Sequence, residues 1–238
     1  MKEKYKWRIK QTQIWFLMGV QMLVMGIDEA GRGPVIGPLV MCGYVIEGKD
    51  SIRLKKLGVK DSKKLSHKQR INFVPELKKL SSSITVHKLT AKEIDSMRTT
   101  TNLNKIEIKI MQGIINKIEP DKIIIDAIQS DVEKFHNYIM SGLNNKQVEL
   151  ICENFADNKY PEVSAASVIA KVERDREVDM LKHYGFRGSG YTSDPATIAF
   201  LRKWLENNKT FPDFVRKSWI TSQEMIKNRE QKTLRSFN

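Results

Sequence analysis

Ile27-Asp28-Glu29-Ala30-Gly31-Arg32-Gly33-Pro34 is the stretch around which this chain is organised: an apolar run stops at two adjacent carboxylates, and a glycine-rich turn closed by proline follows. Residues 22 to 28, Met-Leu-Val-Met-Gly-Ile-Asp, have the content of a buried strand. Successive strand side chains point to opposite faces, so Asp28 and Glu29 can converge only if the chain bends there, and a bend is expected. Gly31 and Gly33 permit one, because without a Cβ they accept positive φ and let another backbone approach closely. Pro34 fixes its own φ and has no amide to donate to a ladder. The expected result is a pair of carboxylates beside exposed amide donors.

Outward from this stretch, Pro38 to Glu47 reads as a second strand pairing antiparallel with the first, and Ile84 to Leu89 as a third. Lys122 to Asp126 is a short apolar run suited to a central strand buried on both faces, and Val148 to Cys152 is a fifth strand. Between them Lys49 to Lys60 reads as a polar connection. Asp61-Ser62-Lys63-Lys64-Leu65-Ser66 offers capping side chains for a helix to about Leu80, broken or kinked at Pro75. Leu103, Ile106, Ile110, Met111, Ile114 and Ile118 recur at helical spacing from Asn102 to Ile118, and Asp131 to Leu143 is a further helix. Ser164 is the expected N-cap of a helix with Ala165, Val168, Ile169 and Val172 on an apolar side, ending near Gly185. A last helix is expected from Pro195 to about Asn208. Strands and helices that alternate in this way define an α/β fold with a mixed sheet.

The 238 residues suffice for one main core and an appendage, with 40% apolar and 29% charged residues. Residues 1–21 form a leader that is expected to be disordered or non-native, since Met18, Met22 and Met25 each offer another start. Residues 22–185 are expected to form the catalytic body and 186–238 a helical substrate-binding segment. A net charge of +13 favours a polyanionic partner, nucleic acid before others. Cys42 and Cys152 have neither metal-ligand spacing nor a disulfide pattern, which fits a cytoplasmic protein. The apolar run Ile14 to Ile27 is shorter than the roughly 20 residues of a spanning helix and no cleavage site follows, so no membrane association is expected.

Acids stand at three strand or loop ends: Asp28 with Glu29, Asp126, and Asp157 in the polar loop Glu153 to Glu162. Open α/β sheets gather their sites at such ends. Four clustered carboxylates repel one another unless protonated or joined by cations, and oxygen ligands suit Mg²⁺ or Mn²⁺. A pair of such ions would activate a water and stabilise the leaving oxygen of a phosphodiester displacement. Taken singly, each acid also has a plain reading as a turn cap or a solvated side chain, and Asp157 is the one for which that reading is strongest. Lys63 and Lys64 can touch phosphate or merely solvate a helix start, and Lys171 can do either as well. His67, His87, His136 and His183 have no paired spacing and are expected to be structural or superficial.

These motifs closely resemble the type 2 ribonucleases H, the ribonuclease HII family. The resemblance runs from about Gly26 to Trp219 through Asp28 to Pro34, Asp61-Ser62-Lys63-Lys64-Leu65, Ile125-Asp126, and Ser164-Ala165-Ala166-Ser167-Val168-Ile169-Ala170-Lys171-Val172. It implies a ribonuclease H-like fold, a five-stranded mixed sheet flanked by helices with a C-terminal helical segment. It also implies a divalent-metal endonuclease, with two ions of Mg²⁺ or Mn²⁺ held by Asp28, Glu29, Asp126 and Asp157. The implied substrates are RNA–DNA hybrids and duplex DNA containing ribonucleotides. Within the resemblance, Gly31-Arg32-Gly33 matches the turn that reads a ribose 2′-hydroxyl, and Tyr191 the tyrosine that packs on the neighbouring deoxyribose. A 2′-hydroxyl is the group that separates RNA from DNA, and glycine-freed backbone can reach it while Arg32 engages phosphate. Lys63, Lys64 and Lys171 lie in family motifs and are assigned to substrate phosphates. Arg216-Lys217-Ser218-Trp219-Ile220-Thr221 resembles the archaeal and eukaryotic branch, with Ile220 where lysine is more usual. A monomer is expected, and a sliding-clamp contact is left open. The rivals are ribonuclease HIII, which carries Gly-Thr-Gly at the turn and a long N-terminal domain, and a non-catalytic hybrid-binding module, which would be expected to lack an acid.

Overall fold

The computed structural model of the protein describes residues 22–59 and 65–235, with side chains through 231. The leader 1–21 and the lysines Lys63 and Lys64 lie outside the described residues. Five strands form one sheet: β1 (Leu23–Ala30), β2 (Leu39–Glu47), β3 (Ser83–Leu89), β4 (Lys122–Asp126) and β5 (Glu149–Glu153), in the order β3-β2-β1-β4-β5. β2 pairs antiparallel with β1 and β3, while β4 is parallel to both β1 and β5, so the mixed sheet expected from the sequence is present. The described α-helices are α1 (Ser51–Lys56), α2 (His67–Leu80), α3 (Ala91–Met97), α4 (Leu103–Ile118), α5 (Val132–Ser141), α6 (Pro161–Met180), α7 (Pro195–Asn207) and α8 (Ile220–Arg235).

The sheet carries a core on each face, and strand alternation decides which residue joins which. Val24 and Ala30 of β1, Val40, Cys42, Tyr44 and Ile46 of β2, and Ile124 of β4 pack with α1, α2 and α6. Met25 and Ile27, Met41 and Val45, and Ile123 and Ile125 point the other way, toward α4 and α5. Even-numbered residues of β1 therefore face α6 and odd-numbered ones face α4. Helix α6 lies unusually close to β1, because a Cβ on Gly26 would sit 2.2 Å from the Glu162 carbonyl carbon. Small residues along its first half, Ser164, Ala165, Ala166 and Ser167, complete the close approach. Burial continues on all sides from Glu162 to Ala170, so this helix is embedded where the sequence pattern suggested a single apolar side.

Several expectations are corrected. β1 does not bend between Asp28 and Glu29; it stays paired through Glu29↔Met41 and Ala30↔Val40, and the chain turns only afterwards. Ser164 is not an N-cap, since α6 starts three residues earlier at Pro161, a residue preorganised for the first helical turn. The Ser164 hydroxyl donates instead to the Val59 carbonyl. Pro75 does not divide α2, which is held by a Ser66/Gln69 capping box and by buried Val74 and Leu77. Within the polar connection after β2 the chain forms a 3₁₀ turn, Gly48–Asp50, followed by α1. Helix α3, which the sequence reading passed over, begins with a Thr90/Glu93 capping box.

The C-terminal segment packs against the turn that follows β1. Leu201, Leu205, Phe211 and Val215 share a core with Val35 and Ile36 from the turn after β1, and Ile36 forms an antiparallel bridge with Val215. Cys42 and Cys152 are buried free thiols, and burial pushes the Cys152 thiol up to about 12. Among the described residues, no helix is long and apolar enough to cross a membrane.

Candidate active site

Register brings the acids together. Ile27 of β1 pairs with Ile125 of the parallel neighbour β4, so the next residues, Asp28 and Asp126, project from the same face at the C-terminal end of the sheet. Asp157 arrives from the 3₁₀ turn Ala156–Asn158 that follows β5. Carboxylate oxygens of Asp28, Asp126 and Asp157 lie within 4.8 Å of one another. Backbone amides fix two of them: Glu29 N donates to Asp28 Oδ1 at 2.8 Å, and Ala156 N donates to Asp126 Oδ1 at 3.1 Å.

Such proximity is electrostatically costly. Burial, and after it the charge of Asp126, pushes the Asp28 carboxyl up to about 7, against a hydrogen bond from Ser167 and the positive charge of Lys171. Lys171 Nζ in turn donates to Ser167 Oγ at 2.9 Å, so α6 delivers a lysine–serine pair to the edge of the cluster. Both positions are i and i+4 on one helix and share a face. Hard oxygen donors that repel one another in a buried setting match the requirements of a divalent cation.

Glu29 does not join the three converging aspartates. Being odd-numbered on β1 it faces α4, and its carboxyl is held well above the usual range by burial, then by the charges of Asp28, Glu107 and Asp126, with Arg32 opposing. Its Oε2 is buried without a hydrogen-bond partner among the described residues. That orphaned oxygen, close enough to Asp28 and Asp126 to feel both charges, is a further group that a cation would satisfy.

Beyond Ala30 the Gly31-Arg32-Gly33 turn is pinned from behind. Gly31 has φ +82°, and a Cβ there would meet the Pro38 carbonyl at 2.5 Å, so only glycine fits. Arg216 is fully buried, and its guanidinium donates to the carbonyls of Gly31, Arg32 (2.8 Å) and Gly37 (3.1 Å). Burial pulls the Arg216 guanidinium down to about 10, with Arg174 adding repulsion. Trp219 Nε1 donates to the Gly33 carbonyl at 3.1 Å, and the guanidiniums of Arg98 and Arg216 each pack over its ring, 4.7 Å from the centroid. Arg32 reaches back to α4, pairing with Glu107 at 3.0 Å and donating to Asn104. Tyr191 stands next to the same turn: a Cβ on Gly33 would touch its ring at 3.7 Å, and Arg174 packs over it at 5.4 Å.

The structure thus gathers Asp28, Asp126, Asp157 and Lys171 at one point, with Glu29 alongside, and Gly31, Arg32, Gly33 and Tyr191 at the next. Sequence reasoning gave no role to Ser167, Glu107, Asn104, Arg98, Arg174 or Arg216. Ser167 was legible as the residue one helical turn before Lys171. The others act across 70 or more residues of chain, apart from Arg174, and only packing reveals them.

A family model described as Ribonuclease HII matches residues 25–222, which span all of these groups. The chain belongs to the ribonuclease HII family. A ribonuclease HII of Methanococcus maripaludis (strain C6) is 44% identical over 216 residues, covering 88% of this chain and 89% of the relative. The crystal structure of ribonuclease H2 from Pyrococcus horikoshii OT3 superposes with a TM-score of 0.83 at 41% identity, covering 88% of this chain and all of that one. The ribonuclease HII in the PCNA:RNase HII complex from Archaeoglobus fulgidus gives a TM-score of 0.76 at 37% identity, over 83% of this chain and 95% of that one. Ribonuclease HII enzymes are divalent-metal-dependent ribonucleases H, and the chain is accordingly an enzyme of that class acting on nucleic acid.

Proposed function

We propose that the protein is an endoribonuclease cutting the phosphodiester 5′ to a ribonucleotide, in duplex DNA or in the RNA strand of an RNA–DNA hybrid, with 3′-hydroxyl and 5′-phosphate products. The observation that carries this reading is the convergence of Asp28, Asp126 and Asp157 from three sequence-remote elements. Asp28, Glu29, Asp126 and Asp157 would hold two divalent ions, Mg²⁺ or Mn²⁺. When bound, these ions would neutralise the acids, activate a water and offset charge on the leaving oxygen.

The chain's own groups supply placement. Lys171, steadied by Ser167, sets a positive charge beside the cluster for a phosphate oxygen. The turn at Gly31 to Gly33, its carbonyls held from behind by Arg216 and Trp219, offers a rigid backbone for the ribose 2′-hydroxyl. Arg32 is partly spoken for by Glu107 and Asn104, so it anchors the turn and faces phosphate only with the exposed remainder of its side chain. Tyr191, next to Gly33, packs on the adjoining deoxyribose. Lys63 and Lys64 are proposed phosphate contacts on the family resemblance alone. Residues 22–185 form the catalytic body and 186–238 the substrate-binding segment of a cytoplasmic monomer. The Archaeoglobus relative was solved in complex with PCNA, and a sliding-clamp tether is proposed for this chain on that ground alone.

The test is incubation of a duplex carrying one ribonucleotide with the protein and Mg²⁺ or Mn²⁺, mapping the nick. A product ending in 3′-hydroxyl directly before the ribonucleotide is expected; a 2′,3′-cyclic phosphate, or cleavage undiminished by chelator, would sink the reading. The non-catalytic alternative is disfavoured because none of the four acids is missing.

A further inference from the structure

Arg174 of α6 stands between the two loops that meet at the site, the Gly31–Gly33 turn and the segment Ser189 to Tyr191. It is buried, 6% exposed, and a glycine on each loop gives it room: a Cβ on Gly31 would lie 3.0 Å from its Nε, and one on Gly190 3.0 Å from Nη2. Nη2 donates to the Ser189 carbonyl at 2.6 Å, and the guanidinium packs over the Tyr191 ring at 5.4 Å. For so buried a charge this is sparse compensation. The ion pair with Asp175 is long, at 3.9 Å, and Nε is buried without a hydrogen-bond partner among the described residues. Burial pulls the guanidinium below the usual arginine range. An apolar side chain of similar volume would fill the same space with a smaller desolvation penalty.

The loop backbone is held without the arginine. Val35 N and Ile36 N donate to the Gly190 carbonyl at 2.8 and 3.2 Å, and Gly190 N donates to Thr197 Oγ1 at 3.0 Å, so the loop is tied both to the chain after the turn and to α7. The Tyr191 side chain is a different matter. It is 42% exposed beside Gly33, and an exposed ring exchanges rotamers unless a neighbour holds it. A guanidinium face attracts an aromatic face, which an aliphatic filler of the same volume does not.

We propose that Arg174 is a positioning residue that fixes the Tyr191 ring relative to the Gly31–Gly33 turn and thereby sets the preference for a ribonucleotide with a deoxyribose beside it, which rests on the reading of that turn and of Tyr191 given above. A fixed ring is preorganised for a sugar that lacks a 2′-hydroxyl. A ring free to swing packs on that sugar less of the time and yields more readily to a second ribose. In this role Arg174 acts through Tyr191.

Competition between a duplex with one embedded ribonucleotide and an all-RNA hybrid, with Mg²⁺, tests this in wild type, Arg174→Met, Tyr191→Ala and the double variant. Both substrates meet the same enzyme, so the ratio of their kcat/KM values does not depend on the folded fraction. Arg174→Met should lower that ratio about tenfold, the scale of Tyr191→Ala itself. The double variant should lie within about twofold of Tyr191→Ala alone, because the two side chains act as a unit. An Arg174→Met ratio within twofold of wild type, or effects that multiply in the double variant, overturns the proposal and leaves the hydrolytic reading intact. If Arg174→Met melts below the assay temperature, Arg174→Lys, which keeps the charge without the planar fork, is judged by the same two criteria. A wild-type ratio for Tyr191→Ala would overturn the reading of Tyr191 and this proposal with it. A wild type that cuts neither substrate would overturn the hydrolytic reading and, with it, both.

Discussion

The acid cluster and the glycine turn are separated by two residues of chain and are built on opposite principles. In the cluster, Asp28, Asp126 and Asp157 are forced together by sheet register and left in mutual repulsion, which shows as an Asp28 carboxyl near 7. In the turn, polar groups are satisfied from behind: the Gly31 and Arg32 carbonyls each accept a hydrogen bond from buried Arg216, and the Gly33 carbonyl accepts one from Trp219. One region stores a charge imbalance that a cation resolves; the other is rigid before any ligand arrives. Chemistry and recognition are thereby separated, and substitutions should divide along the same line.

The largest effect is expected from Asp126→Asn. Losing one carboxylate from a metal cage worth several kcal/mol of charge stabilisation should cut turnover by about a thousandfold or more. Because a repelling charge is also removed, the metal-free variant should melt above the wild type; a nicking assay and a thermal melt together check both signs. Arg216→Met, at the other pole, should cost about 3 kcal/mol by stranding buried carbonyls, lowering Tm by roughly 10 °C. It should erode discrimination between a ribonucleotide and a deoxyribonucleotide before it erodes metal-dependent Tm gain, measured by nicking of paired substrates.

Mg²⁺ or Mn²⁺ at about 100 times Kd should stabilise the wild type by about 2.7 kcal/mol, and Asp126→Asn by far less. A pH dependence accompanies this. The Asp28 carboxyl titrates at about 7 when folded and near 3.9 when unfolded, so between those values the folded state binds more protons. Stability of the metal-free protein should fall as pH rises from about 4 to 7. Saturating divalent ion should flatten that slope, and a slope indifferent to ions would break the contrast drawn above. Tyr191→Ala should slow cleavage at a single embedded ribonucleotide about tenfold and spare an all-RNA hybrid, as shown by competing the two substrates. The smallest change belongs to Arg98→Ala, which removes one of the two guanidiniums packed over the Trp219 ring and should cost about 0.5–1 kcal/mol in a denaturant titration.

How far the sequence carried depends on the range of the interaction involved. Asp28, Glu29 and Asp126 were legible because they stand where apolar runs end, whereas Asp157 lies in a polar loop and was marked chiefly by the family resemblance; β4 was readable residue for residue as Lys122–Asp126. The bend at Asp28 and Glu29 was misplaced because the sequence reading required these two neighbouring carboxylates to converge. The strand instead runs on, and Glu29 faces α4, where the charges of Glu107 and Arg32 act on it in opposite directions. Helix α3 carried a readable Thr90/Glu93 capping signal, whereas the full embedding of α6 had none, since nothing local says that Gly26 will admit a helix backbone.

By itself the sequence determined the alternation of strands and helices, the acids, the glycine turn and the family. These are encoded by neighbours along the chain, in periodicity and in motifs. Only the tertiary structure decided that Arg216 and Trp219 brace a turn more than 180 residues away, and that Ser167 and Lys171 reach Asp28. Those relations arise where separate elements pack against one another, and their geometry is fixed by sheet register and close approach, which no local pattern records.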